Sequence, residues 1–471
     1  MRADGLKPLI IQGGMGVNIS NWQLANIVSR SGQLGTVSGV ALEKVVARIL
    51  QTGDPGGHIR RALATFPFPE EAARVIDDYY VPEGIQAGAK YKSVPMYTIK
   101  PARNLINLTI CANYATVWLA REGHSNQVGI NYLEKIAMPH VYAIAGAILA
   151  GVDYVIMGAG IPMGIPAVIG GLVNEGMAAY DVPVTGSDIK KITMRFNLLE
   201  FYGVSTLTLK KPVFVPIVSS YSLANIMANK LGEGIQGLVV EEPTAGGHNA
   251  PPRGQPQLDE AGRRLPIYGE KDVVDYAKVA ALGLPFWIAG SRASPEALVW
   301  ALSVGAAGIQ VGSIFALCEE SGLDPALRAK VRRLGFLGRL EVVTDMRGSP
   351  TGFPFKVVRL PGTLADLTVY AARSRVCDQG GLVALYEEPG GTIGYRCPAE
   401  PIAHFGRKGG KKEDTDGRLC LCNGLIGAAN LGNPGEPAIV TMGDDVSFLP
   451  RLMLGPDDSY RAVDVLSFLL Q

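Results

Sequence analysis

The sequence predicts an α/β protein built on a (β/α)8 (TIM) barrel, with loop insertions and a C-terminal cysteine-rich extension. Three observations predict it: a rhythm of short apolar runs ending in glycine, a count of eight such runs, and a composition suited to a buried parallel sheet. Hydrophobic residues make up 47% of the 471 and charged residues 18%, with 58 glycines. That mixture fits strands covered on both faces and crossed by tight turns.

The eight runs, each followed by a helix-compatible stretch, are Pro8–Gly13, Leu34–Gly39, Leu105–Ile110, Tyr154–Gly158, Val213–Ser219, Gly237–Glu241, Phe286–Gly290 and Ile309–Phe315. An open doubly wound sheet would show the same alternation, and the count of eight favours closure into a barrel. The barrel is expected over residues 1–345, with insertions near 50–100 and 160–212 that are long enough to cover its mouth. Beyond residue 345 the rhythm stops. Ser349-Pro-Thr-Gly-Phe-Pro-Phe355 reads as a turn-rich crossing, and residues 346–471 form the extension, with a cysteine-rich module at 377–424.

Forty-four Lys plus Arg against 43 Asp plus Glu leave a formal charge of +1, so no global field attracts nucleic acid or an anionic membrane. A small molecule is the expected partner, and a homo-oligomer is compatible with the composition. The most apolar stretch, Val141–Gly171, is interrupted by Asp153, Pro162 and Pro166 and gives no unbroken span of about 20 apolar residues. Met1–Lys7 carries no basic stretch followed by an apolar segment, so the expected location is the cytoplasm.

Chemistry in such a barrel sits where strands end. The first strand ends in Gln12-Gly-Gly-Met-Gly16, where Gly13 and Gly14 let the backbone approach a flat ligand and Met15 can lie against a ring; a plain glycine turn with a core methionine reads equally well. The sixth ends in Glu241-Glu-Pro-Thr-Ala-Gly-Gly-His248. Its glycines free backbone N–H groups for a phosphate or ring oxygen, and His248 is set to move a proton near neutral pH. Gly290 and Ser291 after the seventh strand, and Gly312 and Ser313 after the eighth, fit a phosphate cradle. His58, His124, His140 and His404 lack such a setting.

The order Gln12-Gly-Gly-Met15, Ala245-Gly-Gly-His248, Ala289-Gly-Ser291 and Gln310-Val-Gly-Ser313, with Phe315 and Glu319, resembles the nitronate monooxygenase (2-nitropropane dioxygenase) family over roughly the first 320 residues. FMN-dependent enoyl-acyl-carrier-protein reductases are related to that family. The resemblance implies FMN at the barrel mouth, its ring near Gly13, Gly14 and Met15 with Asn107 as a further contact. Its phosphate would lie on Ala245, Gly246, Gly247, Gly290, Ser291, Gly312 and Ser313, with Ala289 and Gln310 in the same site. His248 matches the family's acid/base histidine, and the flavin carries the electron chemistry. Two departures stand out: Ser291 where the family has a second glycine, and Ser313 where it has threonine.

Cys377, Cys397, Cys420 and Cys422 are separated by 19, 22 and one intervening residues. Four thiolates can hold an iron–sulfur cluster or Zn2+, although the spacing is not that of a zinc ribbon and four unrelated thiols fit it too. The first expected function is an FMN-dependent oxidoreductase of nitronate monooxygenase type. An enoyl-thioester reductase drawing on NAD(P)H or a protein electron donor is the second, and a non-catalytic FMN or metal redox sensor is the third.

Overall fold

A computed structural model describes residues 7–187, 189, 191–260 and 262–471, so the residues before Lys7 and the start of the run Lys190–Phe196 lie outside it. In chain order the strands of the first half are β1 (Ile10–Gln12), β2 (Gly35–Ser38), β3 (Val128–Leu133) and β4 (Tyr154–Gly158), then an outlying pair, β5 (Met177–Thr185) and β6 (Lys191–Asn197). They continue with β7 (Val213–Val218), β8 (Leu238–Glu241), β9 (Phe286–Ala289) and β10 (Gly308–Val311). All but the outlying pair form one parallel sheet in the order β1-β10-β9-β8-β7-β4-β3-β2. A parallel bridge between Ile11 and Leu34 joins its two ends, with Gln12 N–H donating to Leu34 O at 3.0 Å and Leu34 N–H to Ile10 O at 3.1 Å. The barrel is closed.

Alternation along these short strands separates two cores. Ile11, Leu34, Tyr154, Ile156, Val215, Val239, Trp287 and Ala289 fill the barrel interior. Trp287 is fully buried there, and its indole N–H donates to Pro8 O at 2.7 Å, which removes the cost of an unpaired donor. Residues one position along, such as Ile10, Ile130, Val155 and Ile288, face the surrounding helices.

Seven of the eight expected strands fall on barrel strands, the last of them ending at Val311 before the short helix Ser313–Ala316. The third is a correction. Leu105–Ile110 lies inside the helix Arg103–Arg121, and the strand in that place is β3. That helix packs against Trp22–Arg30, Leu42–Gln51, His58–Leu63, Pro69–Tyr79 and His140–Leu149, so its residues are buried on nearly every side. A helix apolar all round presents the same short apolar run as a buried strand.

The 50–100 insertion puts its helices on the outside of Arg103–Arg121 and sends only Tyr97 to the cavity described below. The 160–212 insertion does reach the mouth. After the antiparallel pair β11 (Val342–Asp345) and β12 (Phe355–Val358), the strands β13 (Ala384–Glu387) and β14 (Ile393–Arg396) join the antiparallel pair β5 and β6 in a four-stranded sheet, β14-β13-β5-β6. Beyond residue 345 the chain packs into the same core as the barrel: Leu385, Ile426, Phe448 and Leu466 belong to the barrel's main apolar cluster. Among the described residues no helix is long and apolar enough to cross a membrane.

Candidate functional site

The carboxyl ends of the barrel strands open into a cavity of about 830 Å³, roofed by the β5–β6 insertion and the chain beyond 345. Gly13, Gly14, Met15, Ala245, Gly246, Gly247, His248, Ala289, Gly290, Ser291, Gln310, Gly312 and Ser313 all line it. Asn107 does not. It lies on the helix Arg103–Arg121, where its side chain is buried and donates to Glu71 O at 2.8 Å, so the expected ring contact is corrected. Asn131, at the end of the true third strand, lines the cavity instead.

Each rim loop is held by identifiable contacts. Ser20 Oγ fixes the first turn by donating to Gly13 O at 2.8 Å while accepting from Met15 N–H at 2.9 Å and Gln12 Nε2 at 2.8 Å. A Cβ on Gly14 would stand 2.3 Å from Asn131 Cβ, so this approach requires glycine. After β9 the chain turns through Gly290 at φ +104° and Ser291 at φ +48°. A side-chain-bearing residue in that left-handed conformation is strained, which gives the departure at Ser291 a physical meaning.

The loop after β8 is tied to the distal chain. Gly247 N–H donates to Thr441 Oγ1 at 3.0 Å, Lys356 N–H to Gly247 O at 2.8 Å, and Gly443 N–H to Ser313 Oγ at 2.9 Å. A Cβ on Gly246 would meet the backbone of Met442 at 2.7 Å, so this glycine admits the strap 441–445 as well as any ligand. Thr441, Met442, Gly443 and Asp445 line the cavity too.

His248 is held in the rim, edge-on to Phe355 with ring centroids 4.9 Å apart, and its Nε2 is 2.7 Å from Ser349 Oγ. Burial, aided by the nearby Lys135 charge, pushes its pKa down to about 3, so the imidazole is neutral across the ordinary pH range. Burial pushes the Glu241 carboxyl up to about 8, against the pull of Lys135, and pushes Lys135 down to about 8. The Lys135 ammonium rests 3.7 Å from the centroid of the Phe353 ring. The site therefore combines a neutral imidazole, a carboxyl biased toward its acid form and a partly desolvated amine.

Two buried acceptors bordering this cavity, Gln310 Oε1 and Thr244 Oγ1, have no partner among the described residues. Buried polar atoms are seldom left so, and both are available to a ligand that carries N–H or O–H groups. The same holds for the backbone: among the described residues no intramolecular acceptor takes the N–H of Gly290, Ser291 or Gly312. The donor set and the glycine-lined approach fit FMN, whose phosphate needs N–H donors and whose ring needs a close, flat backbone.

Cys377, Cys397, Cys420 and Cys422 do come together, around a void of about 10 Å³ at which Cys422 alone also reaches the large cavity. Among the described residues no group of three or more His, Cys, Asp or Glu side chains is arranged to hold a metal. The expectation of an iron–sulfur cluster or zinc is therefore not supported. Cys397, Cys420 and Cys422 pack with Leu382, Leu419 and Leu421 in a satellite apolar cluster. Burial pushes all four thiols above their usual range, Cys377 to about 11 and Cys422 to about 12. They behave as small hydrophobic groups.

Asn131, Lys135, Glu241, Ser349 and Thr441 are site residues that sequence reasoning missed. Glu241 stood at the end of a predicted strand and Ser349 in a quoted turn segment, so both carried a positional signal. The alternating run Val128-Gly-Ile-Asn-Tyr-Leu133 carried one for Asn131. Nothing local marks Thr441.

The profile of the family described as nitronate monooxygenase matches residues 193–352, which hold His248 and both cradle turns. No curated protein matches the chain significantly. Among solved structures the chain resembles a nitroalkane oxidase from Streptomyces ansochromogenes at 15% identity, with 98% of this chain and 95% of that one covered and a TM-score of 0.44. It also resembles a mutant FabK from Thermotoga maritima at 17% identity, covering 78% of this chain and 81% of that one, TM-score 0.40. A third is the enoyl reductase domain of MlnA from Bacillus amyloliquefaciens, at 11% identity with 79% and 69% covered and TM-score 0.39. At these values the three are likenesses without functional weight.

Proposed function

With residues 193–352 carrying a nitronate monooxygenase family segment, we propose that the chain is an FMN-dependent oxidoreductase of that type, with His248 as the acid/base group. The observation that carries the reading is an imidazole on the rim of a cavity whose walls supply unpartnered acceptors and glycine-lined N–H donors. Bound there, FMN would supply the capacity to take electrons from substrate carbon. The chain's own residues do the rest. Gly290, Ser291 and Gly312 offer N–H groups to a phosphate, and Gln310 Oε1 and Thr244 Oγ1 accept from ring or ribityl donors. His248 takes a proton from substrate carbon, for which an unprotonated nitrogen is required. Lys135 gives the cavity a cation that suits the alkyl nitronate anion formed when that proton leaves a neutral nitroalkane.

A second reading, reduction of an enoyl thioester with NAD(P)H or a protein donor supplying electrons, is favoured by the reach of the cavity. Its distal lining includes Val182, Leu382, Val383, Leu385, Leu425 and Ile426, apolar side chains suited to an acyl chain.

The absorption spectrum of purified protein with and without added FMN tests the common premise, and turnover separates the readings. Oxidation of an alkyl nitronate or of its parent nitroalkane supports the first, and only the neutral nitroalkane calls on His248 as base. Bleaching by NAD(P)H with colour restored by an enoyl thioester supports the second, and protein that refuses FMN rejects both.

A further inference from the structure

The segment Ser349–Phe355, a turn-rich crossing in the sequence, meets His248 at three points: Ser349 Oγ at 2.7 Å from Nε2, the Phe355 ring edge-on, and a backbone bridge between residues 248 and 355. Ser349 is wholly buried. Its hydroxyl lies 2.8 Å from Thr351 Oγ1 and accepts from Thr351 N–H at 3.2 Å. A hydroxyl has one proton and two lone pairs. Thr351 N–H takes one lone pair, and either hydroxyl can donate between Ser349 and Thr351; a Ser349 proton given to Thr351 Oγ1 leaves the second lone pair for a protonated His248 Nε2, and one given to Nε2 puts the ring hydrogen on Nδ1. Among the described residues no hydrogen bond reaches His248 Nδ1, and the ring borders the cavity.

We propose that Ser349 is a positioning residue that holds His248 as the Nε2–H tautomer and leaves the Nδ1 lone pair as the base facing the cavity. The choice between the two proton arrangements and the base assignment both rest on the proposed function, which needs an unprotonated nitrogen at the cavity; the tautomer itself is measured on the chain without substrate or FMN. The segment is built to hold this geometry. Arg418 Nη1 donates to Ser349 O at 2.6 Å and to Arg347 O at 2.8 Å, Leu419 N–H donates to Gly348 O at 2.8 Å, and Asp345 Oδ1 accepts the N–H groups of Arg347 and Gly348. The charged groups around His248 are Lys135 from the loop after β3, Glu241 at the end of β8, Arg418 behind Ser349, and the paired Lys356 and Asp444.

The test is nitrogen NMR of histidine-labelled protein at neutral pH, with the His248 signals assigned by their loss in His248→Ala. The expected result is a protonated Nε2 and a bare Nδ1 in the parent, with Ser349→Ala giving a mixed tautomer population. Turnover should then fall about tenfold through kcat with KM unchanged, and Ser349→Thr should restore both. A parent with the hydrogen on Nδ1 overturns the proposal, whether or not Ser349→Ala folds. So does a folded Ser349→Ala protein with the parent's tautomer, or one with a changed tautomer and undiminished turnover. If the protein binds no FMN and shows no turnover, the proposed function fails while the tautomer measurement still decides this one.

Discussion

The barrel rim and the four-thiol pocket each gather titratable side chains out of water, but they differ in the space left around them. At the rim His248, Glu241 and Lys135 border about 830 Å³; the thiols surround about 10 Å³, room for no more than one water, and of the four Cys422 alone also reaches the large cavity. Burial shifts the pKa values in both regions. Shifted groups therefore do not by themselves mark a site. They do so when a ligand can reach them and unpartnered acceptors such as Gln310 Oε1 await it.

The sharpest way to break this contrast is His248→Ala. Turnover should drop by roughly 10²–10⁴-fold, the usual size of a lost acid/base group, while FMN absorbance is retained. Steady-state kinetics on the yellow protein measure it, and a loss below tenfold removes His248 from the chemistry.

Next in size is acid sensitivity. The folded-state pKa of His248, about 3, lies below the unfolded value of about 6.5. Its contribution to stability is thus complete above pH 6.5 and is lost as pH falls, by on the order of 2 kcal/mol at pH 5. Denaturant unfolding at pH 7 and pH 5 should show His248→Asn losing less stability than the parent by about that amount. Glu241 has the opposite sign: a carboxyl raised to about 8 favours the folded state at low pH and disfavours it as pH rises. Glu241→Gln should therefore widen the acid loss. Equal pH slopes in all three proteins would mean that the rim groups are not desolvated as described.

In the thiol pocket, Cys397→Ser puts a hydroxyl into an apolar cluster. It should cost about 1–3 kcal/mol in unfolding experiments and leave turnover within a factor of two or so, because the pocket is packing. A large loss of activity without a loss of stability would place the thiols in function and erase the distinction.

The smallest effect is expected at Ser291, whose φ of +48° strains a residue with a Cβ. Ser291→Gly should raise stability by up to about 1 kcal/mol with FMN affinity unchanged, as followed by thermal unfolding and flavin titration. A fall in affinity would give the hydroxyl a part in holding the phosphate.

The strand-end loops were legible in the sequence because they are local objects. A short apolar run, a glycine turn and His248 within eight residues of Glu241 state both the strand and what stands at its end. Asn107 was misplaced because Leu105–Ile110 is short and apolar in a helix buried all round, where period gives no signal. The cysteines were correctly read as a group, yet their spacing says nothing of the geometry on which metal binding depends.

By itself the sequence determined the barrel class and seven of its eight strands, the glycine turns at their ends and the place of His248, since each follows from hydrophobic period and from backbone conformations open to glycine over a few neighbouring residues. Only the tertiary structure decided that Ser349, 101 positions on, holds the imidazole, that Thr441 ties the Gly247 loop, and that Lys135 and Glu241 share the cavity. Those relations join distant segments. They are set by closure of the barrel and by packing of the distal chain across its mouth, which no local pattern encodes.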